Sequence, residues 1–287
     1  MSLAVWLEAT RPKTLPAAAA PVVVGTALAA GREALHLPSA LLALLGALLI
    51  QIGTNYANDY FDFVQGADTE ERLGPRRATQ AGLVAPRAMR RAFVIVFALA
   101  IAVGALLVAR GGWPIVAIGL ASVISGVLYT GGPFPLGYHG LGDLFVWTFF
   151  GPVAVAGTAY VQTLNLAGED LVVGAAFGLV STAILVVNNL RDADTDALAD
   201  KRTLAVRFGK RFARIQYALC LALAIAVPLI YSGSRPWLLA LALLFVPAAL
   251  LSKRVSELDG AALNPLLGAT GKFLLVFAVL FSMGWLL

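Results

Sequence analysis

The chain has 287 residues, 60% of them hydrophobic and only 13% charged, with a mean hydropathy of +0.84, which excludes an ordinary water-soluble domain and points to a polytopic membrane protein. A net charge of +5 and a pI near 9.6 do not indicate nucleic-acid binding, because the basic residues sit in short breaks between apolar runs and form no aromatic-interleaved patch. The one cysteine, Cys220, lies within YALCLALAIAV, so neither a disulfide nor a thiolate metal cluster is expected.

The opening MSLAVWLEATRPKTLP carries Glu8 ahead of the first long apolar run and lacks a small-residue cleavage site, so no cleaved signal peptide is expected. A hydrocarbon core of about 30 Å needs about 20 apolar residues per helix. Runs of that kind predict nine spans, near 14–31, 38–60, 90–109, 113–130, 141–163, 171–190, 212–231, 235–252 and 270–287. The expectation is a single all-α transmembrane domain over 1–287, a nine-helix bundle with cap loops. Of the 21 Lys and Arg, all but Arg32, Arg110 and Arg235 fall on one side of this topology. The positive-inside rule then predicts an integral membrane protein with its N-terminus and its longer loops in the cytoplasm.

Two acidic stretches follow the second and sixth spans, dividing the chain into motif-bearing halves of roughly 1–135 and 136–287. The first is NYANDYFDFVQGADTEERLGPRRATQAG, Asn55 to Gly82; the second is VVNNLRDADTDALADKRTLAVRFGK, Val186 to Lys210. Asn188 and Asp192 each lie 133 positions after Asn55 and Asp59 (188 − 55 and 192 − 59), a spacing compatible with internal duplication. Asp59 and Asp62 stand one turn beyond Asn55 and Asn58, while Asn188, Asp192, Asp196 and Asp200 recur every four residues, so each set is expected to line one helix face. Stacked carboxylates need a compensating cation, and hard oxygen donors without His or Cys nearby favour Mg²⁺. Mg²⁺ typically bridges a few carboxylates to substrate phosphates, which suits two facing Asp sets with a diphosphate between them. Arg72, Arg76, Arg77, Arg191, Lys201 and Arg202 are then candidate contacts to phosphate oxygens.

Solvated loop charge explains Glu70, Glu71, Arg87, Arg90, Arg91, Lys210, Arg211 and Arg214 at least as well. It explains Asp59, Asp62, Asp192 and Asp196 poorly, since acids at membrane-helix ends are costly and the positive-inside rule does not require them. A transporter would place its charges near the bilayer midplane on broken helices, and a phosphatidyl-alcohol transferase would carry its aspartates in one contiguous block.

NDYFD (Asn58 to Asp62) after the second span and DADTD (Asp192 to Asp196) after the sixth resemble the paired motifs of the UbiA-type membrane prenyltransferases, which are nine-helix bundles. The resemblance covers essentially the whole chain. It is strongest to the menaquinone branch, the 1,4-dihydroxy-2-naphthoate polyprenyltransferases, through RPKTLPAAAAPVVVGTALA (Arg11 to Ala29), the first acidic stretch, YTGGPFPLGYHGLGDLFVWTFFGPVAVAGTAYVQT (Tyr129 to Thr163) and NNLRDADTDALADKRTLAVRFG (Asn188 to Gly209). The chain departs from other branches in having TGGP after Tyr129, without a lysine, and from the common Gly-Lys-x-Thr-Leu in having Asp200 before Lys201.

The resemblance implies transfer of a polyprenyl group from its diphosphate to 1,4-dihydroxy-2-naphthoate, with loss of CO₂ and release of diphosphate, at the cytoplasmic face of a bacterial cell membrane. A 4-hydroxybenzoate-like acceptor is the alternative within the family. Asp59, Asp62, Asp192 and Asp196, with Asn58 and Asn188, would hold Mg²⁺. Asn55, Asp68, Arg72, Arg76, Arg191, Lys201 and Lys13 would bind substrates, with Lys13 or Arg76 at the acceptor carboxylate. Among the aromatics near the site, Tyr129 and Tyr60 are the expected shields of an allylic cation. Phe145, Trp147, Phe149, Phe150 and Tyr160 are expected in packing. His139 is expected to hydrogen-bond within its loop, and His36 to be structural.

Overall fold

The computed structural model describes residues 2–66, 73–74 and 76–287, and among them the fold is entirely helical. A short helix α1 (Leu3–Ala9) leads through the turn Pro12–Thr14 into α2 (Leu15–Ala30). The following helices are α3 (Leu37–Val64), α4 (Pro86–Gly111) and α5 (Trp113–Leu128). Pro16, Pro38 and Pro114 each open a helix, where the missing N–H would have no intrahelical partner anyway. His36 caps α3, its Nδ1 accepting from the Ser39 N–H at 3.3 Å.

In the second half, α6 (Gly142–Thr148) and α7 (Ala154–Thr163) form one interrupted span, broken at Gly151 and Pro152. Then come α8 (Gly168–Arg191), the short α9 (Ala193–Leu198) and α10 (Leu204–Leu229), itself bent at Gly209. A 3-10 stretch, Pro236–Leu244, runs into α11 (Phe245–Glu257), and α12 (Asn264–Leu286) closes the chain.

Eight helical segments among the described residues are long and apolar enough to cross a membrane. Each overlaps one predicted run, though the first, sixth and last of them, Leu3–Ala30, Leu204–Leu229 and Gly260–Leu286, begin well ahead of the predicted 14, 212 and 270. The remaining predicted span, near 113–130, is α5, whose 16 residues reach roughly 24 Å at 1.5 Å per residue; it is apolar but shorter than the others.

α8 is the central helix, with 72% of its apolar window buried, whereas α4 at 17% stands at the periphery. In lipid, apolar burial does not itself drive helices together, so close packing of small residues has to. The α6–α7 span meets α8 in this way through Gly151, Gly174 and Gly178. A Cβ on Gly178 would lie 2.3 Å from the Trp147 carbonyl oxygen, and one on Gly174 would lie 2.7 Å from Pro152 Cα. α8 also packs on α10 and α12, and stacked Phe177 and Phe277 rings, 4.4 Å apart, fill the joint. α3 pairs with α4 over a smaller cluster containing Tyr56, Met89, Phe93 and Phe97. The C-terminal ends of α3 and α8, which carry the acidic motifs, come to the same end of the bundle.

Candidate active site

A cavity of about 830 Å³ opens between the two halves. Its polar head is lined by Lys13, Asn55, Asn58, Asp59, Asp62, Arg76, Arg77, Tyr129, Asn188 and Lys201, and its tail runs along Ala43, Gly46, Ala100, Gly104, Ile115 and Gly119. The helical spacing predicted for the first motif is realised: Asn55, Asn58, Asp59 and Asp62 are all buried on one face of α3.

Within that face the side chains have separate partners. Asn55 Nδ2 donates to the Thr10 carbonyl at 2.8 Å and to Thr14 Oγ1 at 3.2 Å, tying the α1–α2 elbow to α3. Asn58 Oδ1 accepts from the Thr130 hydroxyl at 2.8 Å. Asp62 Oδ1 accepts from the Tyr138 hydroxyl at 2.9 Å and Oδ2 from Arg77 Nη2 at 2.6 Å. Asp59 accepts from the backbone N–H groups of Ala78 and Thr79.

In the second motif the expected four-residue stripe runs out. α8 stops at Arg191; Asp192 is its C-cap, with a φ of −94° and ψ of 6°. Backbone bonds from Asp192 N–H to the Asn188 carbonyl and from Asp196 N–H to the Asp192 carbonyl keep three of the residues in helical register. Asp200 has left the helix at φ 50°, is exposed and pairs with Arg202. Asp194 is likewise exposed and paired with Lys210. Asp192 turns into the fork of Arg191, at 2.7 Å to Nε and 2.5 Å to Nη2, and Arg191 Nη2 also donates to Asn188 Oδ1 at 2.7 Å. Neither Asp192 nor Asp196 lines the cavity.

Two bridges join the motifs. Lys201 Nζ lies 3.6 Å from Asp196 Oδ1 and 5.3 Å above the Tyr138 ring, whose hydroxyl reaches Asp62. Asn264, at the start of α12, accepts from Arg191 Nη1 at 2.9 Å and donates to the Leu73 carbonyl at 2.9 Å. Sequence reasoning missed Tyr138, Thr130 and Asn264. The one available signal was their polarity: a tyrosine inside a Gly/Pro-rich loop and an asparagine ahead of an apolar helix.

The two aromatics expected as shields lie in different places. Tyr129 lines the cavity, but Tyr60 does not. It packs against Phe61 and Phe93, at 5.1 and 5.7 Å between centroids, because one residue past Asp59 is roughly 100° around the helix. Phe145, Phe149 and Phe150, expected only in packing, line the cavity instead. His139 stacks on Phe134 and its Nδ1 lies 2.9 Å from the Pro135 carbonyl oxygen, a local loop role. Asp68, Glu70, Glu71 and Arg72 lie outside the described residues.

Among the described residues no three His, Cys, Asp or Glu side chains converge as a metal cage. The donors near the cavity head are nonetheless all oxygens, and the Asp62 and Asp192 carboxylates are already balanced by an arginine each. That chemistry fits a hard divalent ion arriving with its own phosphate ligands, since Mg²⁺ is normally held by one or two carboxylates plus substrate oxygens and water.

The family model of the UbiA prenyltransferases matches residues 18–266. A 1,4-dihydroxy-2-naphthoate octaprenyltransferase of Mycobacterium tuberculosis is 42% identical over 97% of this chain and 95% of its own length. One from Escherichia coli is 40% identical, over 97% and 94%. Among solved structures, a UbiA homologue from Archaeoglobus fulgidus bound to GPP and Mg²⁺ superposes with a TM-score of 0.71 at 14% identity, covering 98% of this chain and 99% of the other. The same homologue bound to DMAPP and Mg²⁺ gives 0.70.

Proposed function

We infer the chemistry of this cavity from the premise that the chain belongs to the UbiA prenyltransferase family: it is an Mg²⁺-dependent enzyme that transfers a polyprenyl group from polyprenyl diphosphate to 1,4-dihydroxy-2-naphthoate. The new carbon–carbon bond forms at the ring carbon that carries the carboxyl group; CO₂ and diphosphate leave, and demethylmenaquinol results. The observation that carries the reading is the two-part cavity, a polar head of Asn58, Asp62, Arg77 and Lys201 continuing into a long apolar tail, which matches a molecule with a diphosphate at one end and an isoprenoid at the other.

Of the expected donors Asp59, Asp62, Asp192, Asp196, Asn58 and Asn188, we assign the ion to Asp62 and the second-motif pair with the two asparagines. Asp192 and Asp196 stand behind the cavity lining, paired with Arg191 and Lys201, and Asp68 and Arg72, outside the described residues, remain the further substrate-binding candidates. A divalent ion bound there supplies charge neutralisation for the departing diphosphate. Arg77, Arg191 and Lys201 add fixed positive charge beside the same oxygens, in a water-poor setting where such charge counts most. Tyr129, Phe145 and Phe149 wall the allylic carbon and shield its developing charge. Lys13 and Arg76, on the lining of the polar head, are the proposed contacts to the acceptor carboxylate. The acceptor's own hydroxyls activate its ring, so no strong protein base is needed.

The finer architecture belongs to the same proposal. α5 is a ninth, short span, the chain is one domain with its cavity shared by both halves, and the motif end faces the cytoplasm of a bacterial cell. The skew of basic residues supports that orientation.

The test is an assay of protein purified in detergent or nanodiscs, with farnesyl or geranylgeranyl diphosphate, 1,4-dihydroxy-2-naphthoate or 4-hydroxybenzoate, and Mg²⁺ or EDTA. Prenylated naphthoquinol with CO₂ release, abolished by EDTA, is the expected result. Product only from hydroxybenzoate overturns the acceptor assignment, and no metal-dependent product from either overturns the reaction.

A further inference from the structure

Asp59 and Asp62 stand one turn apart on α3 and read as a matched pair, yet their carboxylates do different things. Asp62 meets side chains, Arg77 and Tyr138. Asp59 meets backbone: its Oδ2 accepts from the Ala78 N–H at 3.0 Å and its Oδ1 from the Thr79 N–H at 2.9 Å. Asp59 is 2% exposed, and Ala78 and Thr79 are 5% and 3% exposed, so these bonds lie out of water.

The segment they hold is a compact turn. The Ala78 carbonyl accepts from the N–H groups of Leu83 and Val84, the Arg77 carbonyl from Ala81 and the Thr79 carbonyl from Gly82. The carbonyls of 77 to 79 are thus satisfied from within, while the N–H groups of Ala78 and Thr79 take Asp59. Buried N–H groups must find acceptors, and an ionised carboxylate is the strongest kind a side chain offers. The residue just before these amides is Arg77, whose guanidinium reaches Asp62.

We propose that Asp59 is a positioning residue, a latch that seats the 77–84 turn on α3 and thereby sets Arg77 against Asp62 at the head of the donor site. The metal contact of the first motif falls to Asp62 and its neighbours. This deepens the prenyltransferase reading and rests on it for the role of Asp62.

Hydrogen–deuterium exchange of the full-length protein in lipid nanodiscs tests the latch directly. Asp59→Asn keeps the size but leaves one acceptor oxygen, so peptides covering 77–84 should exchange at least about tenfold faster, as a locally opened unit does. Thr79→Pro deletes one of the two donors and should loosen the same peptides. Asp62→Asn removes no acceptor of the two amides and should speed their exchange by less than Asp59→Asn does.

Mn²⁺ affinity, read by electron paramagnetic resonance with farnesyl thiodiphosphate present, gives the second readout. Asp59→Asn and Thr79→Pro should stay within about threefold of the parent while Asp62→Asn loses at least about tenfold, a range typical of groups at or next to a metal. An Asp59→Asn protein that loses Mn²⁺ as Asp62→Asn does, with its turn still protected, overturns the proposal. If Asp59→Asn fails to fold, a Thr79→Pro protein with parental protection at Ala78 overturns it equally. Unchanged Mn²⁺ binding in both aspartate variants instead sinks the metal-site reading, and the exchange data still decide the latch.

Discussion

Arg77 Nη2 lies 2.6 Å from Asp62 Oδ2, with the two side chains only 6% and 3% exposed. A pair so enclosed is costly to break, because removing the arginine leaves the buried Asp62 carboxylate without its cation and beside the neutral Tyr138 hydroxyl. Arg77→Met should therefore destabilise the fold by about 3–5 kcal/mol. Thermal unfolding in detergent, compared with the double variant Arg77→Met/Asp62→Leu, checks this. The double variant should recover most of the loss, because no buried charge is then unpaired.

Asp62→Asn keeps the shape and removes the charge. Turnover should fall by about 10²–10³-fold, the usual cost of losing one electrostatic stabiliser of a transition state. Steady-state kinetics across a Mg²⁺ titration would show the loss in kcat/KM, with excess metal restoring only part of it.

Tyr138→Phe deletes the hydroxyl that bonds Asp62 at 2.9 Å and leaves the ring under Lys201. A hydrogen bond to a charged group is worth about 1.5–3 kcal/mol, so the melting temperature should fall modestly, and activity, which depends on how Asp62 is held, by up to roughly 10- to 100-fold. Normal activity in this variant would exclude the bridge between the two motifs.

Gly104 lines the apolar tail, and a Cβ placed there would meet nothing within 4 Å. Gly104→Leu puts bulk into that open space while raising helix propensity by roughly 0.8 kcal/mol, so folding should not suffer. Competition between geranyl and longer polyprenyl diphosphates should shift towards the shorter donor. An unaltered preference would show that the isoprenoid leaves the head along another wall.

Asp200 holds a left-handed φ of 50° where the family commonly has glycine, and its side chain is 82% exposed beside Arg202. Asp200→Gly should leave turnover unchanged and raise stability by up to about 1 kcal/mol, the cost of that backbone region for a residue with a Cβ. Chemical denaturation together with the standard assay would measure both.

The helices were legible because each needs only a local property, a long apolar run, which the sequence displays directly. The first motif's face was legible for the same reason, as three- and four-residue spacing is set by helix geometry alone. Tyr138 meeting Asp62 spans 76 residues, and Asn264 meeting the Leu73 carbonyl spans 191; such contacts depend on how loops fold back over the bundle, and no local pattern encodes them. The two uses of Asp59 and Asp62 were hidden likewise. Their spacing is symmetrical, and only the approach of the 77–79 backbone distinguishes them. Tyr60 shows the converse: a residue type suited to the chemistry, turned away from the cavity and towards Phe93 by its place on the helix.

The pairing of Asp62 with Arg77 and of Asp192 with Arg191 also bears on how substrate is captured. A mouth of bare carboxylates would repel a pyrophosphate group and would wait for free ions to discharge it. Here the acids are muted from within, and Lys13 and Arg76 add positive charge to the cavity lining, which favours anions. Encounter with the anionic lipid diphosphate should accordingly be fastest at low ionic strength.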